Sequence, residues 1–344
     1  MAADIAEQPA GFARLLEDEH AEAIAAVAAE VARRRPRNVV FVGRGTSDHA
    51  ALYGAYLSEI RLGLPVASAS PSAITLYGAR PDFTGSLVIG VSQSGGSPDL
   101  TGVLSVAREN GALTLAVTNN PESTLARAAE LSIDVAAGHE RAVAATKTYT
   151  AELFALLLLV EGVRAGDGRL PAEEREALSV LPRLAEQTLA DTTADELAKR
   201  YRFASSLVTT GRGYAYPTAR ETALKLMETS YLPALAFSGA DLLHGPLAMA
   251  DPDVPVLAVV GEGPGGQAMR DVVERLGERR ADVVTIGAAD VPGASARLAV
   301  PAVDERYSPL LDILPLQKLA LSLALARGED PDAPRGLKKV TSTL

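Results

Sequence analysis

The feature that most constrains the fold of this chain is a series of elements that occurs twice. NVVFVGRGT (38–46) and SSLVTTGRG (205–213) share a strand followed by a glycine turn, and Gly211 lies 168 positions after Gly43. LVIGVSQSGGSPDL (87–100) is answered by VPVLAVVGEGPGGQAM (254–269), where Gly261 stands 169 positions after Ser92. LTLAVTNN (113–120) is answered by DVVTIGAAD (282–290), and LFALLLLVEG (153–162) by LALSLALARG (319–328). One such match would mean little, but four in order at a near-constant offset imply a tandem repeat. The β-rich runs alternate with helical patterns such as LLEDEHAEAIAAVAAEVARRR (15–35) and SDHAALYGAYLSEIRLG (47–63), which opens on a good cap residue, Ser47. That alternation predicts an α/β fold in two domains, each a parallel sheet covered by helices on both faces. The expected boundaries are 1–165 for the first domain, 166–200 for a helical linker rich in Ala, Leu and Glu, 201–330 for the second domain and 331–344 for a C-terminal tail.

Composition narrows the function. With 344 residues and 47% hydrophobic content, the chain has enough apolar material for two cores. A formal net charge of -10 argues against nucleic acid or an anionic membrane as partner and leaves small molecules as the default. The absence of cysteine excludes disulfides, thiolate metal sites and a cysteine nucleophile. His20, His49, His139 and His244 lie far apart, so no metal is expected. The N-terminal MAADIAEQPAGF carries acids where a secretory signal has basic residues, and apolar runs such as LFALLLLV (153–160) fall short of the ~20 residues of a membrane span. The expected location is cytoplasmic.

The two copies differ where chemistry is expected. The loop after the second strand is SQSGGS in the first copy and GEGPGG, without hydroxyls and with Glu262 in its middle, in the second. Glycine lets successive N–H groups converge, serine hydroxyls add donors, and the start of the next helix adds partial positive charge. This combination suits a phosphate monoester. The plainer alternative is a polar turn in which Ser97 or Asp99 caps the helix. GRGTS (43–47) adds Thr46 and Ser47 at the carboxyl edge where open α/β sheets bind ligands. GRGTSD lacks the third glycine of a dinucleotide fingerprint, and the chain has no G-x-x-x-x-G-K-[ST] loop.

Acid–base candidates fall in the second copy. RETALKLMETSY (220–231) places Glu221, Lys225 and Glu228 on one helical face, and His244 follows sixteen residues after Glu228. E-x-x-x-K is commonly a surface pair, and a histidine before Gly-Pro is commonly a turn residue. Against this, the helix opens from the GRG turn at the ligand edge, and the apolar stretch before His244 would restrict solvent and favour a proton-ready carboxyl.

GRGTS, SQSGGSPDL, AVAATKTYTAEL, ARETALKLMETSYLPALAFSGADLLHGPLA and ILPLQKLALSLALARGEDPDAPRGLKKVT, in that order, resemble the isomerase part of glucosamine-6-phosphate synthase. That unit consists of two sugar isomerase (SIS) domains, each a flavodoxin-like three-layer fold, and the resemblance covers nearly the whole chain. It implies that Ser47, Ser92, Gln93, Ser94 and Ser97, with Thr46 beside them, cradle a sugar phosphate, and that Gly45 and Val143 lie near the substrate. It assigns Glu228 to the base shuttling a proton between C1 and C2, His244 to the residue linked to ring opening and supplied by a partner subunit, Lys339 to the lysine at the C2 carbonyl, and Glu221 and Lys225 to supporting roles. A homodimer with composite active sites and no cofactor is implied. Ser97 replaces the synthase's threonine, and Asp241-Leu242-Leu243 its Glu-Leu-Lys, so the hexose site is expected to differ in detail. Neither the synthase's glutaminase domain nor its cysteine nucleophile is found in the sequence, which points instead to the resembling SIS-type glucosamine-6-phosphate deaminases. Deglycases, ketose–aldose isomerases and sugar-phosphate sensors are the alternatives. Glu228, His244 and Lys339 together favour catalysis, since sensing needs only the cradle.

Overall fold

Each copy of the duplicated series folds into a five-stranded, all-parallel sheet flanked by helices, in a computed structural model that describes residues 1–337 and 339. The first sheet contains β1 (Asn38–Val42), β2 (Val66–Ser68), β3 (Ser86–Ser92), β4 (Leu113–Thr118) and β5 (Leu131–Asp134), in the order β2-β1-β3-β4-β5. Its main helices are α1 (Asp18–Arg34), α2 (Thr46–Leu57), α3 (Pro98–Glu109) and α4 (Lys147–Ala165). The second sheet contains β6 (Leu207–Gly211), β7 (Ala234–Ser238), β8 (Val256–Val259), β9 (Val283–Gly287) and β10 (Ala296–Ala299), in the order β10-β9-β8-β6-β7. Beside it lie α5 (Ala215–Ser230), α6 (Gly239–Leu243), α7 (Pro264–Glu278) and α8 (Ser308–Ala326). The interior strands β3, β4, β6, β8 and β9 are buried along their whole length, which is why they read as near-continuous apolar runs. The edge strands β2, β7 and β10 are partly exposed.

Both sheets have the same switch point. After β1 the chain crosses to β2 on one side, and β3 then pairs with β1 on the other; β6, β7 and β8 repeat this. Loops leaving the carboxyl ends of β1 and β3, or of β6 and β8, therefore diverge and open a crevice. GRGTS and SQSGGS flank the first crevice; GRG and GEGPGG flank the second. The duplication extends to backbone detail. A Cβ at Gly43 would lie 2.8 Å from the Ser47 carbonyl, and one at Gly211 would lie 2.6 Å from that of Ala215, so only glycine lets either helix pack this close to its strand. Gly45 (φ 53°) and Gly213 (φ 58°) then both take the left-handed turn.

The units do not follow the halves of the chain. Glu7–Glu140 and Lys147–Pro182 form the first, whereas Met1–Ala6 and Arg141–Thr146 cluster with Arg183–Leu337 in the second. Polar contacts hold these short segments in place. The buried Asp4 carboxylate accepts the Ala142 N–H at 2.9 Å, and Gln317 Nε2 donates to the Thr146 carbonyl at 3.2 Å. One correction concerns apolar runs. Helix α8 is long and apolar enough by composition to cross a membrane, yet 72% of that window is buried inside the protein, as in a core helix.

Candidate functional site

The loop after β3 spends the N–H groups of Gly95 and Gly96 internally and keeps its serine hydroxyl protons available. Gly95 takes a left-handed turn (φ 60°) that turns its N–H back onto Ser92 Oγ at 3.1 Å, while the Gly96 N–H donates to Ser94 Oγ at 3.2 Å. Each serine thus accepts from the backbone and keeps its own hydroxyl proton for an incoming acceptor. The Gln93 carbonyl accepts the Asn119 N–H at 3.2 Å, tying the loop to the end of β4. Ser97 occupies the N-cap position of α3, but its side chain makes no cap bond. Asp99 does not cap the helix start by reaching back either; its Oδ1 accepts the N–H of Leu100, and its Oδ2 is held by Arg44. The spare Ser97 hydroxyl is what the plain turn reading does not explain.

The loop after β1 behaves differently. Helix α2 begins at Thr46 with Gly45 at the cap position, so Ser47 lies inside the first turn and not at the cap. Its Oγ donates to Glu152 Oε1 at 2.8 Å, and both residues are buried. With its proton committed to a carboxylate, Ser47 offers a ligand an acceptor and not a donor. Thr46 is half-buried beside it, and Gly45 is exposed at the loop's rim.

The second copy of the loop is already occupied. Glu305, from the segment before α8, places its carboxylate on GEGPGG and accepts the Gly266 N–H at 3.0 Å. A Cβ at Gly263 or Gly265 would fall 2.1 and 2.6 Å from the Glu305 carboxyl oxygens, so these glycines make room for that side chain. Burial pushes the Glu305 carboxyl up, against the N–H groups of Gly266 and Gly265. Nearby Asp312, buried in α8, is pushed up to about 7 by burial, with Ser308 opposing and Glu305 adding to the shift. The loop that lost its hydroxyls is filled by an anion of the chain itself.

The acid–base residues form one cluster on α5. Lys225 Nζ lies 3.4 Å from Glu221 Oε1 and makes a close ion pair with Glu228 Oε2. Burial would lower the Lys225 ammonium, but Glu221 and then Glu228 more than offset it and hold it above its ordinary value. Glu221 and Lys225 are 0% and 1% exposed and Glu228 is 22% exposed, so Glu228 is the member a substrate can reach. The apolar stretch beyond it is not the closed wall expected: it forms the edge strand β7, where Leu235 is exposed. His244 follows α6 on the surface, and its ring makes no hydrogen bond or ion pair among the described residues. Val143 and Lys339 are half-buried; Lys338 and residues 340–344 lie outside the described residues. The cradle residues and the acid–base cluster belong to different units. Arg44, Glu152 and Glu305 are additions that no local pattern announces, because each acts on a partner distant in sequence.

Residues 34–162 and 201–327 both match the family model of the SIS domain. A glutamine–fructose-6-phosphate aminotransferase (isomerizing) of Gloeobacter violaceus is 38% identical over 311 residues, or 88% of this chain and 51% of that protein. The chain spans about half the length of the curated relatives it matches. Among solved structures, a protein of Silicibacter pomeroyi assigned provisionally as a phosphosugar isomerase is 34% identical with a TM-score of 0.86, covering 96% of this chain and 98% of that one. The glucosamine-6-phosphate deaminase of Thermotoga maritima covers 99% of both chains with a TM-score of 0.78, a likeness of fold alone at 21% identity. Two matched segments on two sheets with one shared switch-point geometry leave a single conclusion, that this chain belongs to the SIS domain family and carries two copies of the domain.

Proposed function

We propose that the chain is an amino-sugar phosphate deaminase and isomerase, converting glucosamine 6-phosphate to fructose 6-phosphate and ammonia. The observation that carries this reading is the α5 cluster, in which a buried lysine holds a partly exposed carboxylate, Glu228. In the open-chain sugar, Glu228 takes the proton from C2 to give an enol with nitrogen still on C2. The same carboxyl returns a proton to C1, which leaves a C2 imine, and water releases ammonia from the imine to give the ketose. One carboxylate serves both carbons, so no cofactor enters the scheme. His244, exposed and with its ring making no hydrogen bond or ion pair among the described residues, is assigned to ring opening, by action across a homodimer, and Lys339 to the C2 oxygen or nitrogen. The similarity to relatives named as isomerizing aminotransferases supports sugar-phosphate isomerisation as the class of chemistry.

The test is a panel of hexosamine and fructose-amine 6-phosphates incubated with the protein in deuterated water. Glucosamine 6-phosphate is expected to give ammonia and fructose 6-phosphate in equal amounts, with solvent deuterium at C1 and no contribution from added glutamine. Deuterium exchange without ammonia across the whole panel identifies a simple isomerase and sinks the deaminase reading. Binding with neither outcome identifies a sensor.

The phosphate is assigned to the loop 92–97. Ser94→Ala is expected to weaken sugar-phosphate binding by about 1–3 kcal/mol, since a charge-assisted hydrogen bond is lost while the anion remains. Titration calorimetry checks this, and equal affinity in wild type and variant removes Ser94 from the cradle. One phosphate per chain is expected, because Glu305 fills the second loop.

A further inference from the structure

We propose that Arg44 sets the charge of the phosphate loop by cancelling Asp99, and thereby determines whether that loop accepts a dianion. This rests on the reading of residues 92–97 as the cradle. Arg44 leaves the end of β1 and reaches across the switch point to the first turn of α3, where its Nε and Nη2 both engage Asp99 Oδ2 at 2.9 Å. Asp99 is 2% exposed and Arg44 52%. This is therefore not an ordinary surface pair, whose contribution is small: the acid is buried under the loop and the cation lies at its open side.

Asp99 puts the loop in conflict with its ligand. An acid in the first turn suits the helix, because it accepts the Leu100 N–H and faces the positive end of the dipole. The same charge, two residues beyond Ser97, repels a phosphate seated on Ser92, Ser94 and Ser97. Arg44 removes that conflict. Its planar fork grips one carboxylate oxygen with two nitrogens, and Nη1, which makes no hydrogen bond or ion pair among the described residues, remains as a further donor on the exposed side. In the second copy of the domain the occupant of the loop is itself a carboxylate, that of Glu305.

The experiment is a charge cycle on the full chain, reading the dissociation constants of inorganic phosphate and glucosamine 6-phosphate by calorimetry, with thermal melts to confirm folding. Arg44→Gln is expected to weaken both by roughly tenfold or more, as one uncancelled charge faces the anion. Asp99→Asn is expected to bind at least as tightly as wild type, and the double variant to return to within about threefold of it. Arg44→Lys, which keeps the charge and loses the fork, is expected to retain most of the affinity. A double variant as weak as Arg44→Gln, or an Arg44→Lys as weak as Arg44→Gln, assigns Arg44 to bracing the loops and overturns the proposal. Binding that is lost in Ser94→Ala and indifferent to Arg44→Gln also overturns it while leaving the cradle standing. A wild type that binds neither phosphate brings down the cradle reading and this proposal with it.

Discussion

Glu228→Gln is expected to lower turnover of glucosamine 6-phosphate by about 10² or more while the sugar phosphate still binds. Glutamine keeps the length and shape of the side chain and leaves an amide oxygen for Lys225, so the cluster on α5 is preserved in outline. What disappears is the group that takes a proton from C2 and returns it to C1. The prediction separates Glu228 from Glu221, which is fully buried and pairs with the same lysine. Glu221→Gln should reduce turnover less, because that residue acts through Lys225 and does not reach the sugar. Steady-state rates, the dissociation constant and deuterium uptake at C1 together decide the matter. A Glu228→Gln variant with a tenth or more of wild-type activity would place the base elsewhere, and the deaminase mechanism as written would fall.

The fold was legible because its signals are local and repeated. Buried parallel strands appear as short apolar runs, and the glycines at 43, 45, 211 and 213 mark the same turn in both copies, each needed where a Cβ would collide or φ is positive. The face shared by Glu221, Lys225 and Glu228 follows from helical spacing alone. Other features depend on contacts that no local pattern records. Glu152 is 105 positions from Ser47, yet it takes that hydroxyl's proton and changes what Ser47 can offer a ligand. Glu305 is 39 positions from Gly266 and turns an apparently empty loop into a filled one. Arg44 reads in sequence as a turn residue between two glycines, and only the adjacency of β1 and β3 brings it to Asp99. The expectation that apolar surroundings alone make Glu228 ready for a proton leaves out the ammonium that i, i+3 spacing sets against it. Helical cap assignment failed at Ser47 for a simpler reason, since Gly45, with its positive φ, already takes the cap position two residues earlier.

Lys225→Met is expected to destabilise the unit built on the second sheet by about 3–5 kcal/mol near pH 8, because it removes the ammonium that the buried Glu221 carboxylate shares with Glu228. Methionine fills much of the same volume, so the loss reports charge and not a cavity. The pH dependence distinguishes the two. A lysine whose folded pKa is raised contributes stability that is complete below the unfolded value of about 10.4 and is lost only as pH rises through the folded value. Between pH 5 and 8 the wild-type contribution from Lys225 is therefore constant. Methionine carries no titrating proton, so the gap between the two proteins should stay level between pH 5 and 8 and narrow only as pH rises beyond about 10.4. Adding Glu221→Gln to Lys225→Met should recover a large part of the loss at pH 8, since a neutral amide replaces a buried charge that has lost its lysine. Urea unfolding at about pH 5, 8 and 11 measures all three proteins. A Lys225→Met gap that is small at pH 8, or that does not narrow as pH rises beyond about 10.4, would mean that the cluster is wet enough to screen its charges, and the picture of a buried lysine holding Glu228 in place would have to be given up.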